Sequence, residues 1–284
     1  SRIHVLTHSL HYGSAVFEGV RVYDGVPFKL HEHNERLRLS ASEVGYEIPY
    51  TADDLNTICR ETLVRNKIRD GYIRPFAWRG AEQMGISAQS TQIHVAVAAW
   101  AWGSYFPEDK LNDGIRLCYA DWRRPPPESA PYRAKVGGLY VICTMAKHAA
   151  ENAGFDDAMM LDTRGYLAES TGTNLFMVKD GVLHTPEPDC CLDGITRRTV
   201  MDLARARGIE VVTDHYTPDF LEGVAEVFLT GPAAEVTPVG QVGDLRFNVG
   251  PVTRALRQDY MDLVRGIPIT HTPEKEDKNE RTYG

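Results

Sequence analysis

Residues 132–140 read Tyr-Arg-Ala-Lys-Val-Gly-Gly-Leu-Tyr, so that Lys135 stands two residues before a glycine pair and close to an aromatic residue. A lone lysine is usually a solvated surface charge. Here Gly137 and Gly138 carry no Cβ, and they predict a backbone that a flat ligand can approach closely. They do not form a nucleotide-binding loop, because the chain contains neither GxGxxG nor GxxxxGKS/T. Lys135 is therefore the first candidate for a reactive amine.

The composition indicates a globular protein. The chain has 284 residues, of which 43% are hydrophobic, and that is enough for one large core or two smaller ones. Its formal net charge of -8, without a basic stripe, is not typical of a nucleic-acid binder. No apolar run approaches the roughly 18 residues of a membrane-spanning helix, and no signal peptide is predicted. We therefore expect neither a nucleic-acid nor a membrane partner.

The cysteines predict a reduced protein without a metal. There are five of them, with no CxxC motif, and this pattern favours neither a disulfide framework nor a zinc site. Cys190 and Cys191 are adjacent and could form only a strained disulfide. We expect free thiols and a cytoplasmic location.

Local signals predict both helices and strands. Thr51, followed by two acidic residues, is typical of a helix start. Helical spacing continues over residues 140–153, 195–207 and 251–265. Apolar runs predict strands at 93–100, 158–161 and 227–230, and Asp180-Gly181 suits the two-residue type I′ turn of a hairpin over 176–185. Because helices and strands do not alternate regularly, the sequence predicts a mixed α and β (α+β) protein rather than a doubly wound sheet.

Residues 102–114 (WGSYFPEDKLNDG) accumulate proline, glycine and acidic residues, which is typical of a connection between domains. We therefore predict a small N-terminal domain over 1–101, this connection, and a large domain over 115–284. The last part of the large domain, from about residue 268, is a polar tail that we expect to be mobile.

Three further stretches could hold a charged ligand. Glu169 falls between two strand-like segments, where a carboxylate could face a ring nitrogen, although a plain polar turn is the simpler interpretation. Ile195 and Thr196 begin a helix, whose free amides suit a phosphate. Arg36 is a second phosphate candidate, and its simpler interpretation is a surface ion pair with a glutamate of the same segment. None of these signals is decisive alone.

Taken together and in order, longer stretches resemble the branched-chain aminotransferases, a group of fold-type IV enzymes that depend on pyridoxal 5′-phosphate (PLP). The resemblance runs from His4 to about Tyr260. The stretches that carry it are HSLHYGSAVFEGVRVY, HEHNERL, GYIRPF, AAWAWGSY, AKVGGLY, GFDDAMMLD with GYLAES, NLFMVKDGVLHTP, LDGITRRTV and VFLTGPAAEVTPV. It implies two domains with the active site between them, and a homodimer in which the partner subunit supplies some substrate contacts.

The resemblance also implies residue roles. Lys135 would form the Schiff base with PLP, Glu169 would pair with the pyridine nitrogen, and Tyr140 would lie near the phenolic oxygen. Arg36, Ile195, Thr196 and the position of Pro232 would surround the phosphate. The residues that match positions around the substrate are Tyr12, Phe17, Gly19, Tyr72, Arg74, Met84, Ile86, Trp102, Tyr105 and Ala233.

The implied activity is transfer of an amino group between an L-amino acid, branched-chain or otherwise hydrophobic, and a 2-oxo acid such as 2-oxoglutarate. The chain departs from the family pattern where TGTAAE and KxGGNY are usual, since Pro232 replaces threonine and Leu139 replaces asparagine. Ser170 and Thr173 replace the glycine and glutamate of EGxGEN, and Ala225 replaces the acid of ADEVF. These changes bear on the substrate range, and Pro232 can donate no hydrogen bond.

Four alternatives remain open. A D-amino acid aminotransferase would carry an Arg-x-His pair after the strand of Tyr72 and Arg74, and the chain has none there. An (R)-amine transaminase would lack the Tyr-Ile-Arg arrangement, although Pro232 keeps that possibility. A lyase of the aminodeoxychorismate type, which the ESTGTNLF stretch slightly favours, would consume no second oxo acid. A catalytically inactive relative is disfavoured by an intact Lys135 and Glu169.

Overall fold

The computed structural model describes residues 2–269, which carry two separate β-sheets with helices packed against them. All strands of the first sheet lie within residues 16–101, and all strands of the second lie within 115–246. This mixture of sheets and helices is the α+β class that the sequence predicts. The change of sheet supports a domain division at 102–114, which stays a prediction. The predicted mobile tail lies, after residue 269, outside the described residues.

The first sheet is antiparallel and is organised around its longest strands. Its strands are β1 (Val16–Phe17), β2 (Val20–Tyr23), β3 (Val26–Pro27), β4 (Gly71–Arg79) and β5 (Ile93–Ala101). Strand β4 pairs with β5 along its whole length, while β1 and β2 share its other edge and β3 pairs with β2. Glu18 lies in the break between β1 and β2, where its amide donates to the Pro75 carbonyl.

Three helices belong to this part of the chain. They are α1 (His8–Tyr12), α2 (Leu30–Glu43) and α3 (Ala52–Asn66). Helices α2 and α3 pack their apolar residues on the sheet, with Leu37, Leu55 and Cys59 completely buried. Thr51 and Asp54 form a reciprocal capping box at the start of α3, which confirms the helix start predicted there.

The second sheet contains a closed ring of strands. Its members are β6 (Ile115–Tyr119), β7 (Asp157–Leu161), β8 (Leu167–Ser170), β9 (Asn174–Lys179), β10 (Val182–Pro186), β11 (Val211–Asp214), β12 (Glu226–Gly231), β13 (Glu235–Val242) and β14 (Leu245–Arg246). The order β9-β12-β13-β6-β7-β8 closes because β8 returns to β9 through Glu169 and Asn174. Strands β10 and β11 extend the sheet beyond β9, and β14 pairs with β13.

Helices α4 (Glu108–Asp113), α5 (Tyr140–Asn152), α6 (Ile195–Ala206) and α7 (Pro251–Val264) accompany this sheet. One cluster of apolar side chains, including Leu117, Met159 and Leu229, lies on one face of the ring. A second cluster joins Phe176 and Phe228 on the other face to α6 and α7. Among residues 2–269 no helix has the length and apolar character needed to cross a membrane.

The local predictions agree with this structure to within a few residues. Asp180 and Gly181 have φ values of 52° and 78° in the turn between β9 and β10, as a type I′ turn requires. Gly208 and Gly266, with φ values of 76° and 68°, follow the ends of α6 and α7. The predicted connection 102–114 contains the short helix α4, which its proline and glycine content did not indicate.

Candidate active site

Lys135 lies between the two sheets. Its carbonyl accepts a hydrogen bond from the Phe17 amide at 3.1 Å, and its own amide donates to the Ser40 hydroxyl at 2.9 Å. The segment that follows runs beside β1, with a bridge between Val16 and Val136. Backbone contacts with the first sheet and α2 therefore fix the lysine at the boundary that the sequence predicts for the active site.

The glycine pair after Lys135 has a different task from the predicted one. A Cβ on Gly138 would lie 3.0 Å from the Gly13 carbonyl oxygen, and one on Gly137 would lie 3.5 Å from that of Ala15. Both glycine amides donate to these same carbonyls, at 2.9 and 2.8 Å. The prediction that the glycines admit a ligand is therefore wrong. They admit the chain segment 13–15, and so hold the lysine segment against the first sheet.

The side-chain amine of Lys135 has one close partner. Nζ lies 2.6 Å from the hydroxyl of Tyr140, the first residue of α5, and 4.8 Å from the centre of the Phe17 ring. Burial disfavours the ammonium, but Tyr140 and Glu18 favour it more, and the pKa of Lys135 is raised. The free amine is therefore charged at neutral pH, with a phenol in position to exchange a proton with it.

Glu169 and Arg124 form a buried pair at one end of the site. Glu169 Oε1 lies 3.3 Å from Arg124 Nε, which also donates to the Cys190 carbonyl at 3.2 Å. Burial raises the pKa of Glu169, while Arg124 and Lys135 oppose that rise. With a single long contact to Arg124, the carboxylate has acceptor capacity left for another donor.

Arg36 is paired with a residue that the sequence analysis did not single out. Its Nε and NH2 groups donate to the two oxygens of Glu18 at 2.6 and 2.9 Å, and His33 Nδ1 lies 2.7 Å from Glu18 Oε2. Burial would raise the pKa of Glu18, but Arg36 and His33 outweigh it and hold that pKa well below its usual range. The surface ion pair considered for Arg36 is therefore wrong, because its partner is completely buried. The NH1 group has only a 3.5 Å contact with the Asp193 carbonyl.

The first turn of α6 faces the same space as Arg36. Gly194 precedes the helix and provides no side-chain cap, while Ile195 and Thr196 are buried. The first amides of a helix have no partner within it, and the helix dipole makes this end attractive to anions. An arginine and a free helix N-terminus on one cavity form a suitable seat for a phosphate.

Two adjoining cavities contain these groups. The narrower one is lined by Arg36, Arg124, Lys135, Tyr140, Glu169, Asn174, Ile195, Thr196, Thr230 and Pro232, among others. The wider one has a volume of about 400 Å³ and is lined by Phe17, Tyr72, Arg74, Trp102, Tyr105, Phe106, Lys135, Tyr140, Asp157, Pro232, Ala233 and Ala234, among others. Lys135 and Tyr140 border both. The structure thus brings every predicted cofactor residue into the first cavity and six of the ten predicted substrate residues into the second.

The four remaining substrate residues lie elsewhere in the single chain. Tyr12 and Ile86 line a separate open cleft of about 770 Å³, and the Met84 side chain is 68% exposed. Gly19 lines neither cavity, but a Cβ there would lie 1.6 Å from the Tyr72 hydroxyl, so it makes room for that side chain. The predicted apolar slot of Tyr12, Met84 and Ile86 is therefore not formed within one chain, and it stays a prediction that requires a second subunit.

Sequence reasoning missed Glu18, Arg124 and Thr230. Glu18 directly follows Phe17 in a matched stretch, and Arg124 lies in the proline-rich loop before Lys135. Neither position has a local pattern that indicates burial, because their partners are distant in sequence. Thr230 ends a predicted strand, and its hydroxyl becomes informative only when its surroundings are known.

Comparison with known proteins identifies the family. The model of class IV amino-transferases matches residues 15–242. A branched-chain-amino-acid aminotransferase of Pseudomonas aeruginosa is 42% identical over 94% of this chain and 90% of its own length. The chain belongs to the class IV aminotransferases. The predicted family and fold are thereby confirmed.

Solved structures give the same result. A branched-chain amino acid aminotransferase from the source abbreviated T.th., solved with pyridoxamine 5′-phosphate, superposes with a TM-score of 0.90 and 42% identity, covering 94% of this chain and 90% of that one. An aminotransferase from Brucella abortus bound to PLP gives a TM-score of 0.83 at 29% identity, covering 93% of this chain and 94% of that one. The class IV aminotransferase is therefore similar over nearly its whole length to proteins that bind this cofactor.

Proposed function

We propose that this class IV aminotransferase binds PLP in the narrower cavity and transfers amino groups between L-branched-chain or other hydrophobic amino acids and a 2-oxo acid such as 2-oxoglutarate. The observation that carries the proposal is the arrangement around Lys135. An amine lies in the middle of the site, a buried carboxylate at one end, and an arginine with a free helix N-terminus at another. These are the groups that the aldehyde, ring nitrogen and phosphate of PLP require.

Each cofactor residue then has a defined task. Bound PLP supplies an aldehyde for amino groups and a ring that acts as an electron sink. Lys135 Nζ forms the covalent link and, once the incoming amine has released it, moves the proton from the substrate Cα to the cofactor. Tyr140 holds Nζ in place through its 2.6 Å contact. Glu169 keeps the ring nitrogen protonated, and Arg36 with the amides of Ile195 and Thr196 holds the phosphate.

The substrate occupies the wider cavity in this proposal. Phe17, Trp102 and Tyr105 give it an apolar wall, and the Arg74 guanidinium lies 5.4 Å from the centre of the Tyr72 ring. The buried Arg74 Nε has no hydrogen-bond partner among the described residues. A planar guanidinium suits a carboxylate, so Arg74 and Tyr72 would orient that group of the amino acid.

The proposed enzyme works as a homodimer. Support comes from Met84 and Ile86, large apolar side chains that are 68% and 86% exposed and that match substrate positions of the family. A partner subunit would bring them, with Tyr12, to the wider cavity of its neighbour. Mixing a Lys135→Ala protein with an Ile86→Arg protein tests this, because the hybrid contains one intact site. Recovery of activity above that of either parent supports the dimer, and no recovery in hybrids isolated by two affinity tags contradicts it.

The five cysteines are all free thiols, which supports a reducing compartment and the proposed cytoplasmic location.

The test of the function is transamination with a donor panel. With 2-oxoglutarate present, the protein should form glutamate from L-leucine, L-isoleucine and L-valine. Lys135→Ala should abolish this turnover, while Lys147→Ala, which removes another partly buried lysine outside both cavities, should retain it. Consumption of a second oxo acid separates a transaminase from a lyase. D-amino acids or simple amines as the better donors, or near-normal turnover by Lys135→Ala, would contradict the proposal.

A further inference from the structure

Thr230 carries a hydroxyl group that the proposed function has not yet used. The residue is completely buried in β12, and its Oγ1 has no hydrogen-bond partner among the described residues. A buried polar group left unpaired costs about 1–3 kcal/mol, and such groups in native proteins need an explanation. The hydroxyl therefore either has a cost without benefit or has a partner from outside the chain.

The Thr230 side chain faces α6. Successive side chains of a strand point to opposite faces, so Thr230 shares its face with Phe228. Phe228 packs in one cluster with Val200 and Met201 of α6. Thr230 also lines the narrower cavity together with Thr196 of the first turn of α6. The unpaired hydroxyl thus lies beside the helix N-terminus proposed for the phosphate.

The same cavity lacks a donor two residues further along. Pro232 lines it but has neither a hydroxyl nor a backbone N–H. Arg36 has its Nε and NH2 groups committed to Glu18, which leaves NH1 as its donor. A phosphate has three acceptor oxygens beyond its ester oxygen, and it would accept an additional hydroxyl readily.

We propose that the Thr230 hydroxyl donates a hydrogen bond to the phosphate of PLP and takes the place of the donor missing at Pro232. The proposal rests on the proposed function, because it assumes that PLP occupies the narrower cavity. It specifies a binding residue that touches the phosphate and has no part in proton transfer. Its substitution should therefore change cofactor affinity and leave the chemistry of the saturated enzyme unaffected.

Thr230→Val separates a ligand contact from a structural role. Valine has nearly the same shape, so the protein without cofactor loses only an unpaired hydroxyl and should be as stable as the wild type or more stable. The dissociation constant for PLP should rise about 10-fold, which corresponds to about 1.4 kcal/mol. Thr230→Ser retains the hydroxyl and should bind PLP within about twofold of the wild type.

Thr253 offers a matched control. Its hydroxyl is also buried and unpaired among the described residues, but it lies in α7 and lines neither cavity. Thr253→Val should leave the PLP affinity unchanged. Inorganic phosphate supplies a probe without a covalent link to Lys135. It should raise the melting temperature of the wild-type apoprotein and of Thr253→Val, and it should do so less for Thr230→Val.

The experiment is an equilibrium PLP titration of the four apoproteins, with urea unfolding of each. Weaker PLP binding by Thr230→Val, restored by serine and without loss of apoprotein stability, supports the proposal. An affinity of Thr230→Val within twofold of the wild type overturns it, as does a serine variant that binds as weakly as the valine variant. If the wild type itself binds no PLP, the proposed function fails first, and a normal wild type distinguishes the two failures.

Discussion

Two buried carboxylates near Lys135 have opposite protonation behaviour. Glu18 accepts two hydrogen bonds from Arg36 and a third from His33, and its pKa is strongly lowered. Glu169 has one 3.3 Å contact with Arg124, and its pKa is raised. Both are almost fully buried, so burial alone does not explain the difference. The number of donors supplied by the protein does. Glu18 is saturated within the fold, whereas Glu169 is left free to pair with the ring nitrogen of a cofactor.

The largest expected effect is on stability, from Glu18→Gln. An amide cannot neutralise Arg36, and breaking a buried ion pair costs about 3–5 kcal/mol. Urea unfolding of the apoprotein measures this cost. Because the folded-state pKa of Glu18 is lowered, its contribution is present above the ordinary carboxylate value and is lost as the pH falls. The wild type should therefore lose more stability in acid than Glu18→Gln. A cost below about 1 kcal/mol would show that the two carboxylates do not differ as described.

The same substitution at the other carboxylate should affect catalysis instead. Glu169→Gln cannot hold the ring nitrogen protonated, and we expect the first half-reaction to slow roughly 10²–10³-fold. Its apoprotein should be at least as stable as the wild type, because burial already disfavours the charge of Glu169. Stopped-flow spectroscopy gives the rate, and a rate equal to that of the wild type would remove Glu169 from this role.

Arg124→Met should shift the pH dependence of the reaction. Arg124 lowers the pKa of Glu169, so its removal raises that pKa, and the acid limb of the rate profile should move to higher pH. Arg124→Lys should move it less. Arg65→Met removes an arginine from an exposed ion pair and serves as the control. Superimposable profiles of Arg124→Met and the wild type would mean that Arg124 does not influence Glu169.

The smallest expected effect is at Pro232, between the two cavities. Pro232→Thr adds a donor to the phosphate end, and we expect PLP to bind about 10-fold more tightly, or about 1.4 kcal/mol. Activity toward branched-chain amino acids should also rise relative to simple amines. PLP titration with a donor panel measures both. Equal affinity with an unchanged donor ranking would make the proline a neutral substitution.

The sequence predicts the fold and the identity of the site well, because these depend on local signals and on motifs in a fixed order. Thr51, Asp180 and Gly208 form the caps and turns expected of them. The tertiary partners could not be predicted. Glu18 and Arg36 are 18 residues apart, and Glu169 and Arg124 are 45 apart, with nothing in either sequence position to indicate pairing. The glycine pair after Lys135 shows the same limit, since only the structure reveals that Gly138 packs on Gly13.

Sodium borohydride reduction of the holoenzyme, followed by peptide mapping, tests the central claim most directly, because reduction makes the link between PLP and its lysine permanent. The account predicts one modified peptide, with the pyridoxyl group on Lys135, and loss of the visible absorbance of bound PLP. A pyridoxyl group on another lysine, or PLP that binds without any covalent attachment, would contradict it.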